Sequence, residues 1–413
     1  MRIALTKLAD VALRSLFVLV VLYGLPVRST GAFGLALTLM GFFTFAVGYE
    51  RYLDLQRRMV SQSALAVDKL IITTLLFYLR NYVVALPVFM GLLYFWVSLP
   101  VKQVLMFAVV SVVEHLSNEA YRITLIAPQY YRVLIAAVVK NGLLLFCLGL
   151  LIGSGKAEIA SVMAVWLACS MAGFFAMAFA FGLNWQFKTW RDVSGCGLAP
   201  ATQYSASATH FLIGLVALAA LQVDRLVSGL VLTLDQAGLY FRHVYVASFA
   251  YQLFNVASYN RLVPLVYRTL QAGQPELARR AIIREIWQLC MLFVLGLAVL
   301  AVVRWYGLPK IPALQGLSPL LMGILFLGFF LRAMADLQAM QFHAVHLELD
   351  VFRAQAAALA VAVFANLSLG KLFGLEGAVI SLIPGAGAYL IFLLWFRKQR
   401  QTRFVQNISR SSV

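Results

Sequence analysis

Long apolar runs recur along the whole chain, with only short polar segments between them. A run of about 20 apolar residues is long enough for a helix to cross a bilayer. Runs of this length exclude parallel or antiparallel sheet, and they leave no room for a soluble domain of about 50 residues or more. The pattern therefore predicts an all-α integral membrane protein of about 12 transmembrane helices. The runs begin near Val11, Gly34, Asn81, Gln103, Val133, Ile159, Thr209, Gly238, Ile286, Ser318, Phe352 and Gly377.

Composition and charge agree with a membrane protein. Hydrophobic residues make up 62% of the chain and charged residues 12%, about half the charge of a soluble domain. Of the 33 Lys and Arg, 22 fall in loops on the side of the N-terminus, 6 in the opposite loops and 5 within the runs. This bias predicts that both termini are cytoplasmic. The net charge of +17 is then explained by a basic rim that faces anionic membrane lipids, without any nucleic acid.

A polar stretch near the middle, residues 184–207, separates six runs from six. We predict an N-terminal six-helix half over residues 1–190 and a C-terminal half over residues 191–413. The halves show a weak repeat, since Gly34 and Arg57 recur 204 residues later as Gly238 and Arg261. Repeats with the same orientation place a substrate path between them. We therefore expect the two halves to surround a central cavity.

Several arginines interrupt the apolar runs. An intramembrane charge costs roughly 2.5–3.5 kcal/mol, so it usually faces a water-filled path or a partner. The candidates for substrate binding are Arg14, Arg225, Arg242 and Arg332. They predict a basic interior that suits an anionic substrate. The alternative for each is a local ion pair or a side chain that snorkels to the interface.

Three carboxylates in the runs are candidates for coupling transport to a proton or sodium ion: Asp224, Glu114 and Asp336. The alternative is a paired structural carboxylate. Asp336 lies four residues after Arg332, so the two share one helix face and could pair. Asp224 and Arg225 are adjacent and point about 100° apart, so they face each other poorly.

The sequence contains no phosphate-binding loop and no hydrolase or metalloprotease motif. We therefore expect no enzymatic activity, no cofactor and no metal. The four cysteines lack CxxC spacing and are interpreted as packing residues.

Two segments resemble the polysaccharide (O-antigen-type) flippases of the multidrug/oligosaccharidyl-lipid/polysaccharide exporter superfamily. The first is VDRLVSGLVLTLDQAGLYFRHVYVASFAYQLFNVASYNRLVPLVY. It is similar to the family's seventh and eighth spans, with the Asp224-Arg225 pair and then Gly238-Leu239-Tyr240. The second, GAFGLALTLMGFFTFAVGYERYLDLQRRMV, looks like the second span, which ends in a Tyr- and Arg-rich turn.

The resemblance implies a flippase that moves a lipid-linked, pyrophosphate-bearing oligosaccharide across the bacterial inner membrane for surface polysaccharide assembly. It also implies that Arg14 and Arg242 occupy positions where such flippases place cavity arginines. Arg225 and Arg332 are included from their intramembrane positions alone. Three alternatives stay open: a membrane subunit of a polysaccharide synthase or export complex, a drug/ion antiporter of the same superfamily, and an integral membrane enzyme. Polysaccharide polymerase or synthase subunits are the expected protein partners.

Overall fold

The computed structural model describes residues 2–52, 55, 64–124, 130–181, 200–306, 318–345 and 347–399. Within these ranges the regular structure is helical, with no strand. The described residues form twelve long α-helices, and a π-helical turn, Leu92–Trp96, follows the third. The all-α membrane class and the helix count predicted from the apolar runs are confirmed.

The helices follow one another in the order of the apolar runs. They are α1 Arg2–Gly24, α2 Val27–Gly48, α3 Ala64–Gly91, α4 Val101–Thr124, α5 Tyr130–Gly153, α6 Ile159–Phe181, α7 Pro200–Val231, α8 Leu234–Gln271, α9 Pro275–Tyr306, α10 Pro319–Ala344, α11 Glu348–Ile380 and α12 Leu382–Gln399.

Several helices begin well before the apolar runs that predict them. The third begins at Ala64 rather than near Asn81, because an apolar stretch that contains charged residues can still continue a helix. The eleventh helix is interrupted at Gly374, whose φ of 57° is not helical, so the run expected from Gly377 begins just after this break and continues into α12 from Leu382. Hydropathy marks where a helix meets hydrocarbon and does not mark where its backbone hydrogen bonds begin.

Eight of the described helices are long and apolar enough to cross a membrane. The chain is therefore a multi-pass membrane protein. The helices that meet this criterion are α2, α3 with its π-turn, α5, α6, α7, α9, α10 and α11.

The chain divides into two compact units. Unit 1 contains Ile3–Gly31 and Val216–Val413, and unit 2 contains Ala32–Leu215. The first helix thus groups with the C-terminal helices. The boundary predicted between residues 190 and 191 lies outside the described residues, so the division into six and six helices stays a prediction.

In unit 1 the start of α2 approaches the start of α8 very closely. A Cβ added at Gly31 would overlap the carbonyl oxygen of Leu234, and one added at Gly238 would overlap that of Val27. Thr233 begins α8 with a capping box that includes Gln236, which satisfies amide groups left open in the first turn. These contacts fix the N-terminal end of α8, the helix that contains Arg242 and Arg261.

Candidate functional site

The predicted pair Asp224 and Arg225 is buried in unit 1, and its two side chains have different partners. Asp224 is buried and accepts a hydrogen bond from the Tyr240 hydroxyl. The amide of Asn366 on α11 donates to the backbone carbonyl of Asp224 at 3.4 Å. The Arg225 guanidinium lies 4.6 Å from the centre of the Tyr245 ring. The angular separation expected for adjacent helix residues is therefore observed.

Arg332 and Asp336 form the predicted ion pair on α10. Arg332 Nε lies 3.6 Å from Asp336 Oδ1, and the Tyr251 hydroxyl donates to the other carboxylate oxygen at 2.5 Å. Arg332 also lies 4.6 Å from the centre of the Tyr389 ring. Asp224 and Arg332 line one small cavity of about 20 Å³, a volume that fits about one water molecule. The structure thus brings these two predicted residues together.

Arg242 holds the end of α1. Its Nε donates to the carbonyl of Leu22 at 3.0 Å and its Nη2 to the carbonyl of Leu25 at 2.8 Å. The last carbonyls of a helix have no partner within the helix, so the guanidinium satisfies the carbonyl of Leu22 and also that of Leu25, which lies just after the helix ends. Arg242 is buried, and these contacts connect α8 to α1.

Arg14 has a partner on its own helix. Its Nε lies 3.2 Å from Asp10 Oδ2, one turn earlier, and its side chain is 37% exposed. It is the most exposed of the four predicted arginines. The four-residue spacing in the sequence could have identified Asp10 as the partner.

Glu114 lies in unit 2, apart from the other predicted carboxylates. It accepts hydrogen bonds from Lys140 Nζ at 2.8 and 3.0 Å, from Trp166 Nε1 at 3.0 Å and from Ser170 Oγ at 2.5 Å. Donors from α5 and α6 therefore surround this carboxylate of α4. The contacts match the paired alternative, and no coupling ion is needed to satisfy the group.

Sequence reasoning missed a large apolar chamber of unit 1, with a volume of about 920 Å³, between α8, α9 and α10. We call it the unit 1 chamber. Leu8 and Ala12 of α1 also line it, and Tyr251 contributes its ring to the wall. Its walls are mainly aliphatic and aromatic. They include Phe254, Leu289, Leu292, Phe293, Gly296, Val299, Phe329 and Phe330.

One part of the unit 1 chamber is polar. Ser258 Oγ donates to Glu285 at 2.7 Å, and Arg261 Nη2 donates to Glu285 at 2.5 Å and to Gln288 at 2.8 Å. Glu285 is buried, whereas the Arg261 side chain is 55% exposed. The sequence suggested a loop position for Arg261, because the apolar run of α8 stops before the helix does.

Tyr251 joins the chamber to the Arg332–Asp336 pair. Its side chain lines the chamber, and its hydroxyl donates a hydrogen bond to Asp336. No pattern in the sequence singled it out, since an aromatic residue in an apolar helix usually packs in the core. Among the described residues no group of three or more His, Cys, Asp or Glu could hold a metal ion.

No protein-family model matches the chain, and no curated protein matches it. Solved structures do match its fold over nearly its whole length. An inward-facing multidrug resistance MATE family transporter of the MOP superfamily has a TM-score of 0.69 at 14% identity, covering 99% of this chain and 96% of the other. The lipid II flippase MurJ in an inward closed conformation also reaches 0.69, at 13% identity, with 99% and 90% covered.

A MATE structure in complex with MaL6 follows at 0.59 and 13% identity, covering 99% of this chain and 96% of the other. At these identities the likeness describes the fold. The chain therefore has the twelve-helix fold that MATE transporters and the MurJ flippase share.

Proposed function

We propose that the chain is a transporter that flips a lipid-linked, pyrophosphate-bearing oligosaccharide across the bacterial inner membrane, with both termini in the cytoplasm. The unit 1 chamber is the observation that carries this proposal. It combines a large apolar volume with one polar part that contains the cation of Arg261. A substrate with an apolar tail and an anionic headgroup requires both features.

The size and lining of the chamber fit a hydrocarbon tail. Pockets of about 300–1,000 Å³ enclose drug-sized ligands, so about 920 Å³ accommodates a substantial part of a prenyl chain. A tail that enters from the bilayer gains no hydrophobic transfer energy, so the walls must bind it through van der Waals packing. The aliphatic and aromatic walls therefore match the tail without recognising the sugar.

Arg261 provides the contact for the headgroup. Its described hydrogen bonds both use Nη2, which leaves other guanidinium donors for a phosphate oxygen. A guanidinium binds phosphate through two parallel hydrogen bonds, which a lysine ammonium does not reproduce. Binding of substrate by Arg14, Arg225, Arg242 and Arg332, and of a coupling ion by Asp224, Glu114 and Asp336, remains a prediction.

A drug/ion antiporter is the second candidate. The observation that supports an antiporter is the aromatic wall of the chamber beside Tyr251 and Asp336. Aromatic rings and a carboxylate together can bind an organic cation. The MATE and MurJ folds agree with the two candidates equally.

A flipping assay with the full chain in proteoliposomes tests the proposal. The probe is a fluorescent polyprenyl-pyrophosphate oligosaccharide, and a membrane-impermeant reductant reports the fraction that has crossed. Gly296 lines the chamber, and a Cβ added there meets no atom within 4 Å. We expect Gly296→Leu to slow flipping on the order of tenfold, because its four added carbon atoms fill space that the tail would occupy, and a loss of about 1.4 kcal/mol of packing corresponds to tenfold.

Gly149→Leu is the matched control, since Gly149 is also open and lies on α5, away from the chamber. It should flip at the wild-type rate. A chain that moves a cationic dye and no lipid-linked sugar would favour the antiporter. A chain that moves neither would favour the synthase-complex subunit, with a polymerase or synthase as partner.

A further inference from the structure

A second buried polar cluster lies in unit 2, where α2 ends, and none of the predicted site residues belongs to it. Glu119 on α4 is buried and accepts hydrogen bonds from the Tyr78 hydroxyl and, at 3.0 Å, from Arg122 Nη1. The Arg122 guanidinium lies 4.6 Å from the centre of the Tyr52 ring. Three segments of unit 2 thus meet around one carboxylate.

A second carboxylate faces the same guanidinium. The charge of Arg122 acts on Glu50 as well as on Glu119, and the Tyr52 hydroxyl donates to Glu50. Within the described part of the chain, the other charged group that acts on Glu50 is His210 of α7, which is exposed, while Arg51 is buried over the Phe77 ring. Among these groups Arg122 is the cation that acts on both carboxylates, and with both ionised it balances one of the two charges.

His115 points a nitrogen into this cluster. The residue is 1% exposed, and its Nδ1 shares a hydrogen bond of 2.6 Å with the Tyr82 hydroxyl. Within the described part of the chain its Nε2 has no hydrogen-bond partner. A methyl group added at Gly48 would lie 3.3 Å from Nε2 and 3.6 Å from Glu119 Oε1. The imidazole nitrogen and the carboxylate therefore border the same small space beside α2.

The turn that carries Glu50 is strained. Tyr49 and Glu50 have φ values of 50° and 53°, a left-handed conformation that is unfavourable for residues other than glycine. Tyr49 is held by stacking on Phe211 with centroids 4.1 Å apart. The carbonyl of Val47 accepts from Asn81 at 2.7 Å. Packing against neighbouring helices thus maintains a turn that the backbone alone would avoid.

We propose that Glu50, His115 and Glu119 form a proton-binding site in unit 2. At lower pH one carboxyl takes up a proton from water, so the remaining carboxylate and Arg122 balance, and the imidazole nitrogen can accept a hydrogen bond from the new hydroxyl. At higher pH the proton returns to water, and two carboxylates repel each other around one guanidinium. The strained turn is the element that this repulsion would displace.

The environment of Glu50 favours proton uptake. Burial raises the pKa of the Glu50 carboxyl, while the charge of Arg122 and the hydrogen bond from Tyr52 oppose this effect. The site lies in a different unit from the chamber. Use of the bound proton as the coupling ion rests on the proposed transport function, but proton binding itself does not.

Infrared spectroscopy of the purified full chain in nanodiscs tests the site. The measurement is the C=O stretch of protonated carboxyl groups as the buffer changes from acidic to alkaline. We expect a wild-type band that disappears as pH rises. Glu50→Gln and Glu119→Gln should each abolish this band or move its loss to lower pH, because each removes either the titrating group or its like-charged neighbour.

Glu158→Gln serves as the control, because Glu158 is an exposed carboxylate of the same unit, and its spectrum should match the wild-type pH dependence. Glutamine keeps the size of the side chain and one acceptor oxygen, so Glu119→Gln can retain the hydrogen bond from either Tyr78 or Arg122, which donate to different oxygens of Glu119. If both Glu50→Gln and Glu119→Gln retain the wild-type band, the proton site is excluded. Since the assay involves no transport, that result would leave the proposed function intact.

Discussion

Buried charges in this protein are matched by specific partners. In unit 2, Lys140 and Glu114 form an ion pair in which both side chains are buried. In unit 1, Arg332 and Asp336 form an ion pair whose side chains are nearly as well buried. An unpaired buried charge is very costly, and a paired one roughly breaks even against apolar residues of the same size. These residues therefore identify where the interior is polar without showing that substrate reaches it.

The Glu114 pair gives a prediction at this scale. Lys140→Met leaves the carboxylate buried without its cation, and breaking a buried pair costs about 3–5 kcal/mol. We expect a large drop in the midpoint of thermal unfolding of the detergent-purified chain. The double variant Glu114→Gln/Lys140→Met removes both charges and should recover part of the loss. A single variant as stable as wild type, or a double variant that shows the full sum of both losses, would contradict a stabilising pair.

Sequence spacing could reveal partners only within one helix. Arg332 and Asp336 are four residues apart, and their pairing was predicted, whereas Arg242 contacts carbonyls more than 200 positions away. Neither Trp166 nor Ser170 carried any sign that it would donate to Glu114. Tertiary contacts of this kind depend on helix packing, which periodicity does not encode.

At the scale of elements, close helix approach in unit 1 depends on glycine. Gly31 and Gly238 lie where α2 and α8 meet, and a side chain at either position would overlap backbone of the other helix. The sequence marked Gly238 only as part of a weak repeat. The structure gives it a packing role, which a hydropathy pattern cannot reveal.

Substitution of these glycines gives a second prediction. Gly238→Ala should lower the free energy of unfolding, because α2 and α8 must separate to admit the methyl group. Gly149→Ala should be neutral or stabilising, since alanine favours a helix by about 0.5–1 kcal/mol where space is open. The comparison is made by unfolding in detergent at matched concentration. Equal effects at both positions would show that the close approach does not limit stability.

At the scale of the whole molecule, a fold can persist with little sequence identity. Each membrane-spanning helix needs only apolar character over about 20 residues, so many sequences satisfy the same arrangement. This explains why the helix count was predictable from apolar runs. The unit 1 chamber was not predictable, because its walls are the same Leu, Phe and Val residues that fill any membrane helix, and only packing leaves a space among them.

The chamber is connected through Tyr251 to some of the residues that the sequence predicted separately. Tyr251 connects the chamber to Asp336, and Arg332 shares a small cavity with Asp224. We propose that substrate binding in unit 1 is centred on the chamber and Arg261, with the Arg332–Asp336 pair joined to its wall through Tyr251.

Photocrosslinking tests the central claim most directly. The full chain in nanodiscs is irradiated with a polyprenyl-pyrophosphate sugar that carries a photoreactive group in its tail, and labelled peptides are mapped by mass spectrometry. We predict labels on the chamber-lining parts of α8, α9 and α10, lost with excess unlabelled probe and reduced by Gly296→Leu but not by Gly149→Leu. Labels confined to other helices, or unchanged by Gly296→Leu and by competition, would contradict a substrate tail in the unit 1 chamber.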